Sequence, residues 1–172
     1  MSTTRVTKLL QGVAMSGAVV IGSAQSLSAG SATANLTVTA TVGPNCTITT
    51  APVAFGAYDP VVTNATTNDD DVGTISIACT KGTAATIGLG IGANASGAIR
   101  RMKDATTDYL TYELYLDSTR TTVWGTAGVN LFSAGAAPSK VARPFTVYGR
   151  IPSGQDVPAG SYTDTVVATV NF

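Results

Sequence analysis

Apolar and polar residues alternate with a period of two in one segment after another of this 172-residue chain. No segment shows a helical period of comparable clarity. Successive side chains of a β-strand point to opposite faces, so the alternation predicts antiparallel strands that each bury one face. Short strands of this kind cover one another best as two packed sheets. We therefore predict an all-β sandwich, with alternating segments at residues 35–42, 74–79, 86–91, 110–117, 145–151 and 166–172.

The breaks between these segments are rich in Gly, Asn, Asp, Ala and Ser, which are typical of turns and loops. We predict three polar loops, at residues 64–71, 94–96 and 125–140. The chain has no internal repeat and no linker between two domains. A single domain is therefore expected.

The first residues have the layout of a secretory signal peptide. Arg5 and Lys8 precede an apolar run at residues 9–21, and small residues follow it. A membrane anchor is disfavoured because the run is short and rich in Gly, Ala and Ser, whereas a span needs about 20 apolar residues. We predict a leader at residues 1–29, with the cut between Ala24 and Ala34, and export through the periplasm.

The chain has two cysteines, Cys46 and Cys79, and both lie on the apolar phase of their segments. An even number of cysteines in an exported chain predicts a disulfide. The bridge would close a loop with a sequence separation of 33 and stabilise the fold by roughly 3–4 kcal/mol in the chain-entropy model. Two reduced core thiols would instead fit a cytosolic protein.

Several functional classes are disfavoured by composition. The chain has no histidine, which is the commonest general base and metal ligand, so we expect no enzyme, no metal and no cofactor. Basic residues are scattered apart from Arg100, Arg101 and Lys103, so no nucleic-acid partner is predicted.

Three side-chain groups could suggest a ligand site, and each has a simpler interpretation. The acidic run Asp69–Asp71 does not continue as a calcium loop and is expected to be a solvated loop tip. Asp104 and Asp108 fit a turn better than a pair of hydrolytic carboxylates. The aromatic residues are expected to pack in the domain rather than to stack on glycans; they are Tyr115, Trp124 and Tyr148.

The first alternating segment, residues 35–42, permits two interpretations from its pattern alone. It is either the first strand of a closed sandwich or a detachable strand that completes a neighbouring molecule by strand addition. Gly43 and Pro44 follow it and interrupt pairing.

The order of short motifs along the chain resembles the spore coat U domain family. The resemblance covers nearly all of the chain after the leader. It rests on residues 55–60 (FGAYDP), 79–82 (CTKG), 101–102 (RM), 109–115 (YLTYELY), 124–125 (WG), 148–152 (YGRIP), 160–165 (GSYTDT) and the final Phe172.

This resemblance implies an incomplete immunoglobulin-like pilin domain of the archaic, Csu-type chaperone–usher pathway, at residues 44–172. A periplasmic chaperone would complete the domain until an outer-membrane usher exchanges it for the N-terminal strand of the next subunit. The two cysteines match those of the family's disulfide. By the same likeness, residues 35–43 would be the donor strand, through Leu36, Val38, Ala40 and Val42, and the acceptor groove would lie along Val166, Ala168, Val170 and Phe172.

The function expected from this resemblance is that of a structural pilin subunit in a surface fibre that serves adhesion and biofilm formation. Its partners would be copies of itself or sibling subunits, the chaperone and the usher. A non-fimbrial spore or cell-envelope coat protein of the same fold is the alternative. A glycan-binding tip adhesin is less favoured, because the chain leaves no room for a receptor-binding domain.

Overall fold

The computed structural model describes residues 28–172, so the predicted leader lies almost wholly outside the described residues. This part divides into an N-terminal stretch that ends at Thr39 and a compact unit that begins at Ala40. It contains nine strands and no α-helix. The strands are β1 (Cys46–Ala51), β2 (Asp69–Cys79), β3 (Ala84–Leu89), β4 (Arg101–Lys103), β5 (Tyr109–Thr111), β6 (Glu113–Tyr115), β7 (Phe132–Ala136), β8 (Arg143–Ile151) and β9 (Ala168–Asn171).

The strands of the compact unit form two main antiparallel sheets and a hairpin. The four-stranded sheet has the order β1-β2-β8-β6, and the three-stranded sheet has the order β7-β3-β9. Strands β4 and β5 pair with each other. Alternate residues of β2, β3 and β8 are buried in one core, which confirms the all-β fold that the alternation predicts.

The single tryptophan lies at the centre of this core. Trp124 is fully buried, and its Nε1 donates a hydrogen bond to the carbonyl oxygen of Ile87 at 2.9 Å. Its ring lies 5.1 Å from that of Phe132, centroid to centroid. The packing interpretation of Trp124 is therefore confirmed, since a buried ring cannot stack on a glycan.

The predicted disulfide between Cys46 and Cys79 is present. The two residues lie directly opposite each other in the β1–β2 ladder, with their Cα atoms 4.1 Å apart. The bridge therefore ties the first residue of β1 to the last residue of β2.

Two predictions about strand boundaries are wrong. Residues 110–117 are not one strand, because β5 pairs with β4 whereas β6 pairs with β8. Residues 125–140 are not one loop, because they contain β7, which pairs with β3. The alternation of Leu110, Tyr112 and Leu114 continues through the break because all three side chains point into the same core.

The acidic run is also not a loop tip, because Asp69–Asp71 are the first three residues of β2 and pair with β8. Arg150 on β8 reaches Asp70 with two hydrogen bonds, Nε to Oδ1 at 2.7 Å and Nη2 to Oδ2 at 2.8 Å. Arg120 adds an ion pair with Asp70 at 3.3 Å. These two cations offset the charge of Asp70 within the sheet, and Arg150 lies directly opposite it in the ladder.

We expect Arg150→Met to lower the free energy of unfolding by about 0.5–1 kcal/mol at pH 7, since the pair is partly exposed. The hydrogen bonds from Arg150 lower the pKa of the Asp70 carboxyl, so their stabilisation is complete above the unfolded pKa of about 4 and is lost as the pH falls through the folded value. Urea denaturation should show the difference from wild type shrinking between about pH 4 and pH 2. The exposed Lys140→Met is the control, and an equal loss there would contradict a specific role for the pair.

One arginine of the predicted basic cluster is buried and structural. Arg100 forms an ion pair with Glu113, and its Nη2 donates to the carbonyl oxygens of Gly90 and Trp124, each at 2.7 Å. These bonds satisfy a charge that would otherwise be costly to bury. They also fix the end of β3 beside β6.

Candidate functional site

The first strand has an open edge. Among the described residues β1 pairs only with β2. The carbonyl oxygen of Asn45 accepts a hydrogen bond from the Thr80 amide at 2.8 Å, so the peptide groups of odd-numbered residues face β2. In an antiparallel ladder the alternate peptide groups point the other way. Those of Cys46, Ile48 and Thr50 therefore face the open side.

The chain end has a second open edge. We call residues 162–171 the C-terminal arm; it comprises β9 and the extended residues before it. The backbone N–H and C=O groups of its odd-numbered residues point to neighbouring segments of the domain. The carbonyl oxygen of Val167 accepts a hydrogen bond from the Gly90 amide at 2.9 Å, and Thr163 pairs with Lys103. Within the described residues no strand is hydrogen-bonded to the other edge, to which the peptide groups of Asp164, Val166, Ala168 and Val170 point.

A groove runs along the C-terminal arm, opposite the end of β1 and the segment that follows β1. Its first part is a cavity of about 390 Å³, lined by residues 50–55 on one wall and by Val166 and Ala168 on the other, with Leu114 and Val147 among its core-side residues. A second cavity of about 780 Å³ continues it and shares Val53, Phe55, Met102 and Tyr162 with the first.

The two walls of the groove run in opposite directions. The first cavity lies between residues 50–55 and 162–168, whereas the second lies between residues 53–61 and 157–162. Residue numbers therefore rise along one wall in the direction in which they fall along the other, so the two walls are antiparallel. A strand inserted antiparallel to the C-terminal arm would run parallel to β1.

Only some of the C-terminal residues predicted to form the acceptor surface line this groove. Val166 and Ala168 line the first cavity, and both pack against the core together with Val170. Phe172 is 55% exposed and lies outside both cavities. Thus three of the four residues share the inward face of the arm.

The predicted donor residues lie in a stretch without regular secondary structure, at residues 28–45. Leu36, Val38 and Val42 are each more than 80% exposed, and Ala40 is exposed as well. Exposed Leu and Val side chains are costly in water, at about 1.5–3 kcal/mol each relative to full burial. The segment thus has an apolar face with no cover in this structure.

The sequence interpretation missed the wall formed by residues 52–55. Val53 and Phe55 lie against Gly73 and Gly149, where an added Cβ atom would come within 2.6–2.8 Å of their nearest side-chain atoms. Glycine at both positions lets this segment lie flat on the four-stranded sheet. The alternation of Val53 and Phe55 after Pro52 was the available signal, but the run is too short to stand out.

A polar cluster was also missed. Asp164 accepts hydrogen bonds from Tyr112 Oη at 2.7 Å, from Asn94 N at 3.0 Å and from Asn94 Nδ2 at 3.1 Å. Burial raises the pKa of Tyr112, and the nearby Asp164 carboxylate raises it further. Tyr112 is therefore a neutral donor, and the groove carries one anionic group among apolar walls.

The described residues contain no group of three or more His, Cys, Asp or Glu side chains placed to hold a metal ion. In the same part of the chain, no helix is long and apolar enough to cross a membrane. The groove is thus distinguished by its open backbone edges and its shape.

Residues 32–169 match the Spore Coat Protein U domain. The chain belongs to this family. The match begins before the exposed segment at residues 35–42 and ends within β9, so this spore coat U domain includes both the uncovered apolar segment and the two edges of the groove.

Two known proteins are similar to this spore coat U domain chain. Protein U of Myxococcus xanthus is 44% identical over 158 residues, which cover 84% of this chain and 87% of that protein. Among solved structures, a chain of the CsuC–CsuE chaperone–tip adhesion subunit pre-assembly complex, from archaic chaperone–usher Csu pili of Acinetobacter baumannii, matches with a TM-score of 0.58 and 26% identity. The match covers 77% of this chain but 41% of the solved one. The fold is thus similar to that of chaperone–usher pilus subunits.

Proposed function

We propose that this protein is a structural subunit that polymerises by lending residues 35–42 to the groove of a neighbouring copy. The observation that carries the proposal is that one chain has both a groove with unpaired backbone edges and an exposed apolar segment. The groove has open backbone edges on both sides, and the segment at 35–42 has an uncovered apolar face with the period of a strand. Addition of the segment to the groove as a strand would pair the backbone edges and bury the apolar face.

The energetics favour such an exchange. Burial of Leu36, Val38 and Val42 would contribute several kcal/mol, at about 1.5–3 kcal/mol for each fully buried side chain. Hydrogen bonds along both edges would pair peptide groups that otherwise face water or an empty groove. Because the donor surface and the acceptor surface differ, the contact is head-to-tail and leads to an open fibre rather than a closed ring.

Assembly of this kind needs control before export, since an exposed edge promotes aggregation. We propose that a periplasmic chaperone covers the groove and that an outer-membrane usher exchanges it for the next subunit. The similarity to a chain of a chaperone–subunit complex supports this route. The protein would then be exported to the cell surface, where the fibre would serve adhesion or biofilm formation.

A spore or cell-envelope coat is the second candidate, and a specific observation favours it. The relative with 44% identity is named Protein U, and its match covers most of both chains. The family that this chain matches is described as the Spore Coat Protein U domain. The same strand exchange would build either a coat or a fibre. The location of the polymer on the cell distinguishes the two.

The proposal is tested by replacing residues 35–42 with a Gly/Ser octapeptide of equal length. The chain is expressed together with a periplasmic chaperone and an outer-membrane usher of the archaic chaperone–usher pathway. We expect the variant to accumulate bound to chaperone and to form no polymer, whereas wild type forms polymers visible by electron microscopy. Polymers of normal length from the variant would contradict strand donation. Immunogold labelling then separates extended fibres from a continuous coat.

A further inference from the structure

The inward face of the C-terminal arm carries one polar side chain, Asp164, in a row with Tyr162, Val166, Ala168 and Val170. Its carboxylate is held by three hydrogen bonds from Tyr112 and Asn94. It also lies against Gly92, where φ is +91° and an added Cβ would overlap the carboxylate. The group therefore has no room to swing aside when a strand enters the groove.

We propose that Asp164 determines the register of the incoming strand, because its fixed carboxylate admits only a small side chain opposite it. This inference rests on the proposed strand exchange. The donor segment has one small residue on its apolar face, Ala40. In an antiparallel arrangement Ala40 opposite Asp164 gives the pairs Leu36 with Ala168, Val38 with Val166 and Val42 with Tyr162.

The side-chain volumes agree with this register. The largest donor residue, Leu36, meets the smallest residue of the arm, Ala168, and the smallest donor residue meets the carboxylate. A shift of two residues in either direction places Val38 or Val42 against Asp164. A branched side chain there would crowd a fixed polar group and remove it from water without a new partner, and both effects are unfavourable.

The backbone also agrees with this register. The even-numbered residues of the arm direct their peptide groups to the open edge. Opposite them, the peptide groups of the even-numbered donor residues would complete the ladder. Those of Thr37, Thr39 and Thr41 would then face the open edge of β1, and their polar side chains would point to solvent.

The direction of the strand requires that it come from another copy. In the antiparallel register Val42 lies level with Tyr162, in the part of the groove that Val53 also lines. The four peptide units from Val42 to Cys46 span at most about 14 Å. Along the wall, Cys46 and Val53 are about 23 Å apart at the rise of a strand. A chain therefore cannot place its own segment in its own groove in this direction.

A parallel arrangement is less favourable. With Ala40 still opposite Asp164, it would put Leu36 opposite Gly160 and leave Ala168 uncovered. A segment that folds back beside its own β1 through Gly43–Asn45 would have this direction. One experiment can therefore test both the register and whether the inserted strand comes from the same chain or from another copy.

The first test uses paired cysteines in the full chain, with the Cys46–Cys79 bridge retained. Leu36→Cys with Ala168→Cys should give a covalent ladder on non-reducing gels, because opposite residues in a hydrogen-bonded pair lie about 5.5 Å apart at Cα, which suits a disulfide. Leu36→Cys with Val166→Cys or with Val170→Cys should give at least about tenfold less ladder, since diagonal neighbours lie about 7–8 Å apart.

The proposed register would be overturned if the strongest ladder came from the variant with a cysteine at position 166 or 170. A disulfide formed within one chain rather than between chains would also overturn it. Polymer that forms while all three pairs stay uncrosslinked would overturn it as well. If unaltered chains form no polymer at all, the proposed function fails together with the register. The two failures are therefore distinguishable.

The second test probes Asp164 directly. Ala40→Leu should slow assembly by about ten- to a hundredfold, whereas Thr39→Leu, on the outward face, should leave it within about twofold. Ala40→Leu combined with Asp164→Ala should recover much of the rate, because the space opposite position 40 is then open. Equal effects of the two Leu substitutions, or no recovery in the combined variant, would show that Asp164 does not set the register.

Discussion

Val38→Asp is expected to abolish donation of the N-terminal segment, while Thr39→Asp leaves assembly nearly intact. Residues 38 and 39 point to opposite faces of an inserted strand, so one carboxylate would enter the groove and the other would face solvent. An unpaired carboxylate in an apolar groove costs about 4 kcal/mol or more, which corresponds to roughly a thousandfold loss of affinity. Both substitutions add the same charge, so they differ only in the face that carries it.

The Val38→Asp subunit keeps an intact groove, so it should still accept a strand from a wild-type neighbour. In mixtures it should therefore terminate growing chains and shorten the polymers as its proportion rises. Electron microscopy of mixtures at fixed total concentration measures this length. Polymers of unchanged length, with the variant incorporated throughout, would exclude an inward-facing Val38.

The strands that could be predicted from the sequence are those whose alternation is strong and whose core face is continuous. Ile75, Ile77 and Cys79 on β2 are of this kind, and so are Val147 and Ile151 on β8. The disulfide was predicted from the even number of cysteines in a chain expected to be exported, and the position of both cysteines on the apolar phase agrees with it. In these segments local pattern and tertiary burial agree.

The failures have a common physical cause, which is that pairing partners are not encoded in a strand's own alternation. Nothing in residues 109–115 indicates that the chain changes neighbours near Tyr112, because both halves bury the same face. Strand β7 is rich in Ala and Gly, so its apolar signal is weak although it pairs with β3. Asp70 of β2 forms ion pairs with Arg120 and Arg150, which are distant in sequence.

The groove illustrates the same limit. The arm from Val166 to Val170 was predictable as an apolar face, but its open edge depends on which strands pair elsewhere. The opposite wall at Val53 and Phe55 depends on glycines at 73 and 149, which contact it across the sheet. Asp164 stood only within the motif at residues 160–165, and its role depends on hydrogen bonds from Tyr112 and Asn94, which are distant in sequence.

Loss of the disulfide should have the largest effect on the stability of the subunit itself. Replacing both cysteines by serine opens a loop with a sequence separation of 33 and should lower the free energy of unfolding by about 3–4 kcal/mol. Urea denaturation of the purified subunit measures the difference, and Thr47→Ser and Thr49→Ser on the same strand serve as controls. Accessible thiols in the unaltered mature protein would contradict the bridge.

The same variant should also lose acceptor activity by more than its stability alone explains. Cys46 is the first residue of β1, and the last residues of the same strand, Thr50 and Ala51, line the groove. In the described chain the other edge of β1 has no hydrogen-bonded neighbour. An edge strand held on one side frays from its end, and the bridge to Cys79 is the covalent restraint there. If β1 must be in place before a donor strand can bond to it, a donor peptide of residues 35–43 should bind the serine variant more weakly than wild type even at temperatures where both are folded. Equal affinity under those conditions would show that the bridge stabilises the domain without shaping its groove.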